Sequence, residues 1–253
     1  MSGIKQAVAQ AFGAAAQAYR TSSVHASGAD LARLVELARL EGSERVLDAG
    51  CGAGHTAVAF ATHVRTVLAV DLSSEMLAVT ASLAAERGIA NLEVRRGDVE
   101  WLPAADGEFD LVVSRYSAHH WPHPEHALSE IARVLRPGGR FLLGDIVSWD
   151  DPTSDSYLQA IEVLRDPSHV RDHSAAQWLE MLAAAGFAAE TAWRFPVPIE
   201  FTSWVERIRT PEAHLPALRS LLAAAPLEVR AALAVDEAQN FVIQGAIFVA
   251  TLA

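Results

Sequence analysis

Arg45-Val-Leu-Asp-Ala-Gly-Cys-Gly-Ala-Gly54 decides how this chain is read. Val46 and Leu47 read as the end of a buried strand. Gly50, Gly52 and Gly54 then let the backbone turn sharply, and the missing Cβ atoms let a ligand approach the main chain. Asp48 puts a carboxylate beside that loop. The next apolar run, Val67-Leu-Ala-Val70, is short and β-branched, as the neighbouring strand would be, and it closes on Asp71. An acid at the tip of the second strand of a βαβ unit commonly accepts hydrogen bonds from ribose hydroxyls. A nucleoside-bearing ligand is therefore expected across the carboxyl ends of these strands.

The glycine spacing narrows the nucleoside. A dinucleotide fingerprint needs Gly at its first, third and sixth positions. Counting from Gly50, the third is Gly52 but the sixth is His55. A pyrophosphate is disfavoured beside Asp48, whereas a cationic ammonium is favoured there. Asn91-Leu-Glu-Val-Arg95 followed by Gly97-Asp98-Val99 reads as a third strand ending in an acid able to accept from an adenine amine. Phe109-Asp-Leu-Val-Val-Ser114 reads as a fourth strand. Val134-Leu-Arg-Pro-Gly-Gly-Arg-Phe-Leu-Leu143 reads as a helix end, a turn and a fifth strand.

With these motifs in this order, residues 10–146 resemble the class I S-adenosylmethionine-dependent methyltransferases. Within them the chain is similar to the ubiquinone/menaquinone-biosynthesis type, methyltransferase type 11. The resemblance implies an α/β fold, a doubly wound, seven-stranded, mostly parallel Rossmann-like sheet whose last strand is antiparallel and inserts beside the fifth. It implies one domain over residues 1–253: an N-terminal helical lid at 1–27, a cofactor-binding core at 40–146, helical acceptor-site insertions with the sixth strand at 147–240, and the last strand at 241–253. S-adenosyl-L-methionine is the implied cofactor. Asp48, Ala49, Gly50 and Gly52 would approach its methionine part, with Tyr19 near the carboxylate. Asp71 would take the ribose, Leu72 and Met76 the adenine face, and Gly97, Asp98 and Val99 its edge. Ser114 completes the expected cofactor set.

Bulk properties bound the function class. The 253 residues carry a formal net charge of −11, from 31 acids against 20 bases, and the bases are scattered. Phosphate backbones and anionic lipid need clustered Lys and Arg, so nucleic-acid and lipid-surface partners are disfavoured. Cys51 is the single cysteine, so no intrachain disulfide forms, consistent with a reducing cytosol. No basic-then-apolar leader and no run of about 18 apolar residues is present. The expectation is a cytoplasmic enzyme with a small-molecule acceptor and no stable membrane insertion, with a homodimer as an open possibility.

Helices are expected at 4–19, 28–40, 55–62, 74–87 and 124–135, alternating with strands at 45–49, 67–71, 91–95, 109–114 and 140–146. Ser73 suits an N-cap and Pro124 a first turn. Beyond 146, helices are expected at 155–164, 174–185 and through 202–235. An edge strand is expected at 190–199, interrupted by Pro196 and Pro198, with a loop over Tyr19–His25.

Two further clusters carry candidate chemistry. Ser114-Arg-Tyr-Ser-Ala-His-His-Trp-Pro-His-Pro-Glu-His126 follows the fourth strand, where ligands bind. Its four histidines invite a zinc reading, but no Cys or other ligand cluster accompanies them, and no metal is expected. The resemblance places His119 and His120 at the transfer site. His120 is either a general base, with an ascending pH limb near an ordinary histidine pKa of about 6.5, or a chemically silent wall. Arg165 and Arg171, in Leu164-Arg-Asp-Pro-Ser-His-Val-Arg-Asp-His173, either pair a substrate carboxylate or belong to a surface salt-bridge loop. Some of the six tryptophans are expected in an apolar acceptor pocket. The reading is methyl transfer to a small, largely apolar or aromatic metabolite. Its rivals are a cyclase or isomerase on the same fold and a non-enzymatic nucleoside-binding regulatory module.

Overall fold

A computed structural model describes residues 3–21 and 28–253, so His25 and most of the expected Tyr19–His25 loop lie outside the described residues. The elements in chain order are α1 (Gly3–Thr21), α2 (Ala29–Leu37), β1 (Arg45–Ala49), α3 (His55–Ala61), β2 (Thr66–Asp71), α4 (Ser74–Glu86), β3 (Leu92–Arg96), β4 (Phe109–Arg115), α5 (Pro124–Val134) and β5 (Leu135–Val147). Then come α6 (Pro152–Arg165), α7 (Ala175–Ala184), β6 (Phe187–Ile199), α8 (Phe201–Arg207), α9 (Leu215–Ala224), α10 (Leu227–Ala232) and β7 (Phe241–Leu252).

The seven strands lie in the order β3-β2-β1-β4-β5-β7-β6. β1 pairs in parallel with β2 and β4, β2 with β3, and β4 with β5, while β7 runs antiparallel between β5 and β6. The chain order reverses at β1, whose neighbours are β2 and β4. That switch point opens a crevice at the strands' carboxyl ends, between the glycine loop after β1 and the Tyr116–His120 segment after β4.

Alternation along β1 sorts the core into two layers. Val46 packs with Leu34, Ala57, Phe60 and Leu111 on one face. Leu47 packs with Val70, Val112, Leu128 and Phe141 on the other. Each such fully buried side chain contributes about 1.5–3 kcal/mol of transfer free energy. A smaller cluster joins Ala15, Ala16 and Tyr19 of α1 to Ala53, Met76 and Val79, which lays α1 over the glycine loop.

The structure departs from the sequence expectation at four boundaries. β6 starts at Phe187 and continues through both prolines, because it is an edge strand and a missing N–H on the open side leaves no ladder bond unmade. The stretch 202–235 is three short helices and a 3-10 turn at Glu212–His214, broken near Pro211 and Pro226, which cannot donate to a continuing helix. α1 runs on to Thr21, past Tyr19. α6 begins at Pro152, capped by Asp151, whose carboxylate accepts from Ser154 N at 2.8 Å.

Candidate active site

The cofactor half of the crevice is shaped by main chain. Gly50, Gly52 and Gly54 all have positive φ, at 76°, 51° and 85°. Gly50 N and Cys51 N both donate to Val70 O, at 2.9 and 3.0 Å, and fasten the loop to β2. A Cβ on Gly50 would stand 2.0 Å from Ser117 Oγ. Asp71 Oδ2 accepts from Gly52 N at 2.9 Å and Oδ1 from Ser73 N at 2.8 Å. Ser73 Oγ in turn caps α4 by accepting from Met76 N at 3.2 Å. The result is a cleft of about 680 Å³ lined in part by Gly50, Gly52, Asp71, Met76, Phe12 and Tyr19.

Beneath that loop Asp48 is only 1% exposed. Neither of its oxygens has a hydrogen-bond partner among the described residues. Burial raises its carboxyl to about 7, and the nearby Asp71 charge adds to the rise. Asp48 does not itself line the cleft, and the Ala57 backbone N–H holds its carboxyl down somewhat; a buried acid with no close hydrogen bond behind the glycine loop fits a ligand with a cationic amino group.

Other expected cofactor residues stand elsewhere. Ser114 is fully buried and donates from Oγ to Ala49 O at 2.7 Å, tying β4 to β1 inside the sheet. Ala49 is itself buried in β1. Gly97 has a packing reason for lacking a side chain, since a Cβ would stand 2.7 Å from Pro103 Cδ and 2.8 Å from Val70 Cγ1. Val99 belongs to the core beside Val70 and Leu102. Leu72 is half-buried, and its carbonyl accepts from Arg96 Nε at 3.1 Å. Asp98 Oδ2 pairs with Lys5 Nζ of α1 at 2.7 Å. None of these six lines the cleft.

A second cavity, about 900 Å³, opens on the other side of Phe12, Tyr19, Tyr116 and His120, and these four residues line both spaces. Tyr116 holds a positive φ of 53°, an uncommon conformation for a bulky residue. His120 Nδ1 donates to Ser168 O at 3.0 Å, so Nε2 carries the lone pair. Its ring meets Phe12 edge-on at 4.7 Å.

The adjacent histidine has the opposite charge state. His119 Nδ1 lies 2.6 Å from Asp145 Oδ1. Although burial opposes the charge, Asp145 wins and raises His119 to about 9, so it is an imidazolium at neutral pH. Burial, together with that charge one residue away, lowers His120 to about 3. Held that low, His120 would place a base's ascending limb below the ordinary histidine range rather than near pH 6.5.

The second cavity draws its walls from α6, α8, β6 and β7 as well as from the segment after β4. Ile146, Val197, Ile199, Trp204 and Ile243 give it an apolar side. Glu162, Arg165, Asp172 and Arg207 give it a polar one; of these, Arg165 was singled out from the sequence. Trp204 is the one tryptophan on its wall. Trp121 and Trp178 are core residues, and Trp101 is 79% exposed. The 166–172 loop is not a surface: Asp166, Ser168, His169 and Asp172 are buried. Arg165 lies over the Trp204 ring at 5.1 Å and faces Glu162 at 3.6 Å, while Arg171 pairs with Asp155 at 2.6 Å.

Comparison with known proteins fixes the family. A methyltransferase domain model matches residues 47–143. The YcgJ methyltransferase of Bacillus subtilis (strain 168) is 41% identical over 196 residues, 78% of each chain. The crystal structure of YcgJ superposes with a TM-score of 0.85 at 35% identity, over 88% of this chain and 97% of that one. The chain belongs to the methyltransferase family. Over shorter spans it is similar to the malonyl-[acyl-carrier protein] O-methyltransferase of Pectobacterium atrosepticum, 40% identical over 136 residues, 53% of this chain and 51% of that protein. It is also similar to the fatty-acid O-methyltransferase of Mycolicibacterium smegmatis, 38% identical over 126 residues, 47% of this chain and 45% of that protein.

This methyltransferase uses S-adenosylmethionine, and its sheet is the Rossmann-like sheet of class I members. Ser117, Tyr116, Phe12 and Arg207 line the two cavities without having been singled out from sequence. Their segments carried the signal: Phe12 falls in the expected lid, Tyr116 and Ser117 directly after β4, and Arg207 in the expected acceptor-site helices. Among the described residues one group has metal-ligand geometry: Glu100, His123 and His126, with ligand atoms within 4.8 Å of one another. Lys5 Nζ already sits 2.6 Å from Glu100 Oε2, which sets a cation where a metal would compete. No helix among the described residues is long and apolar enough to cross a membrane.

Proposed function

We propose that this methyltransferase alkylates a small acceptor with an apolar body, bound in the cavity between α6, α8 and the ends of β6 and β7. The observation that carries the reading is the seam. Two cavities, one floored by the glycine loop and one by side chains of the carboxyl-terminal part, share Phe12, Tyr19, Tyr116 and His120. S-adenosylmethionine, when bound, supplies an electrophilic methyl group. What this chain contributes is alignment and exclusion of water, and holding a nucleophile in line is worth several kcal/mol on its own. Gly50, Gly52 and Asp71 would bind one partner, and Asp48 would face its amino group. His120 Nε2, neutral and unprotonated, accepts a hydrogen bond from an acceptor hydroxyl or amine and turns its lone pair toward the seam. The two related O-methyltransferases support an acyl-like, amphiphilic acceptor.

Tritium transfer from methyl-labelled S-adenosylmethionine into a metabolite extract tests the reading. Label should enter a small organic molecule, and calorimetry should find micromolar S-adenosylhomocysteine binding with none of NAD. Tight NAD binding without S-adenosylhomocysteine binding would refute the assignment.

A further inference from the structure

The polar side of the second cavity pairs off unevenly. Arg165 is matched by Glu162 and also donates to Trp204 O at 3.3 Å. Glu200 is consumed as the N-cap of α8, accepting from Thr202 N and Ser203 N at 3.0 and 2.7 Å. Asp172 is buried, and one of its oxygens has no hydrogen-bond partner among the described residues. Burial and the neighbouring Glu162 push its carboxyl well above the usual carboxylate range, against the opposing pull of His119.

Two cationic donors on the same wall remain unanswered. Arg207, the last residue of α8, makes no hydrogen bond or ion pair among the described residues, although it is half-buried against the cavity. His119 spends Nδ1 on Asp145, and its Nε2–H has no partner among the described residues. A half-desolvated guanidinium without a partner is costly. An Arg fork matches a carboxylate in two parallel hydrogen bonds.

We infer that the acceptor carries a carboxylate, which Arg207 and the Nε2–H of His119 hold at the polar side of the second cavity while the apolar body lies on Ile146, Val197, Ile199 and Ile243. This rests on the methyltransferase reading and narrows its substrate class. The rival chemistry for the same wall is an amine held by Glu162 and Asp172.

Binding of octanoate, benzoate, octanol and octylamine to the full chain, followed by calorimetry with and without saturating S-adenosylhomocysteine, separates these. Octanoate or benzoate should bind at least tenfold more tightly than octanol or octylamine. Arg207→Gln should weaken carboxylate binding at least tenfold and leave octanol binding within twofold. Arg207→Lys should recover part of the loss, and His119→Gln should weaken carboxylate binding several-fold. Thermal melting of each variant verifies that it is folded. Three results would overturn the inference: no carboxylate binding by the parent at millimolar concentration, preference for octylamine, or equal carboxylate affinity in the parent and Arg207→Gln. Failure of S-adenosylhomocysteine to bind the parent is a separate result that strikes the methyltransferase reading instead.

Discussion

The half of the cleft we assign to the cofactor takes its shape largely from main chain, whereas the half we assign to the acceptor is assembled from side chains that meet from the segment after β4 and from α6, α8, β6 and β7. In the first, Gly50, Gly52 and Asp71 lock one another through backbone donors, and a ligand meets a surface set by φ angles. In the second, His119, Arg165, Trp204 and Ile243 span more than a hundred residues of chain and line one cavity, with Arg165 over the Trp204 ring. Main-chain recognition by this loop needs glycine and an acid at fixed spacing, which leaves little room to vary. Side-chain recognition is free to vary with the acceptor. The comparison therefore predicts that small backbone changes damage the first half most, while charge changes tune the second.

The largest effect should come from Gly50→Ala. Its Cβ would fall 2.0 Å from Ser117 Oγ and 2.8 Å from Ser117 Cβ, at φ 76°. The left-handed backbone alone costs about 1–2 kcal/mol without glycine. With the clash added, affinity for S-adenosylhomocysteine should fall roughly a hundredfold, about 2.7 kcal/mol. Calorimetry that finds the variant within threefold of the parent would break the idea that backbone shape makes this half.

Asp71→Ala should come next, weakening the cofactor by about 1.5–3 kcal/mol, the scale of charge-assisted hydrogen bonds. The carboxylate also holds Gly52 N and Ser73 N, so the loss includes loop order as well as direct contact. Unchanged binding in the variant would take Asp71 out of the site.

These two residues also show why one half was readable in advance. Asp48, Gly50, Gly52 and Asp71 announce themselves because a turn without Cβ atoms between two apolar runs has few other uses. The parallel, doubly wound sheet followed from the alternating units, and the antiparallel last strand beside the fifth from resemblance. Arg207 carried no such mark. It closes a seven-residue helix, and only folding brings it opposite His119. The conformation of Tyr116 was hidden as well, since no residue type announces its positive φ. Asp98, whose motif position suggests the adenine edge, also meets a partner the sequence did not announce: Lys5, 93 residues away, donates to its Oδ2.

The acceptor half can be probed through pH. His119 titrates at about 9 in the folded chain, above its ordinary value near 6.5. Its pairing with Asp145 therefore stabilises fully below about pH 6.5 and is lost as pH rises through 9. The contribution should be on the order of 3 kcal/mol. Denaturant melts of the parent and His119→Gln at pH 6.5 and 9.5 should show the parent losing more. Parallel losses would mean that the pair holds no net charge.

On the cofactor side the sign reverses in meaning. Asp48 sits near 7 in the free protein. A ligand ammonium favours its ionised form, so S-adenosylhomocysteine affinity should climb with pH below 7, by at most about tenfold per unit, and level off above it. Asp48→Asn should flatten that rise. A slope that persists in the variant would assign the proton to another group.

The smallest effect concerns the one side-chain device at the edge of the main-chain half. Lys5, near the start of α1, reaches Asp98 at 2.7 Å and Glu100 at 2.6 Å. The buried contacts of α1 sit toward its other end, at Ala15, Ala16 and Tyr19. Lys5 therefore pins the end of the helix that packing does not. Partly exposed ion pairs contribute about 1 kcal/mol or less, so Lys5→Met should lower cofactor affinity two- to fivefold. High salt should narrow the gap between parent and variant by screening the parent's pairs. Faster proteolysis within the first turns of α1 should accompany the loss. Tighter cofactor binding in Lys5→Met would invert the argument. It would mean that Lys5 competes with the ligand for Asp98, that this carboxylate does serve the adenine edge once freed, and that side chains from a distant helix help shape the half attributed here to backbone.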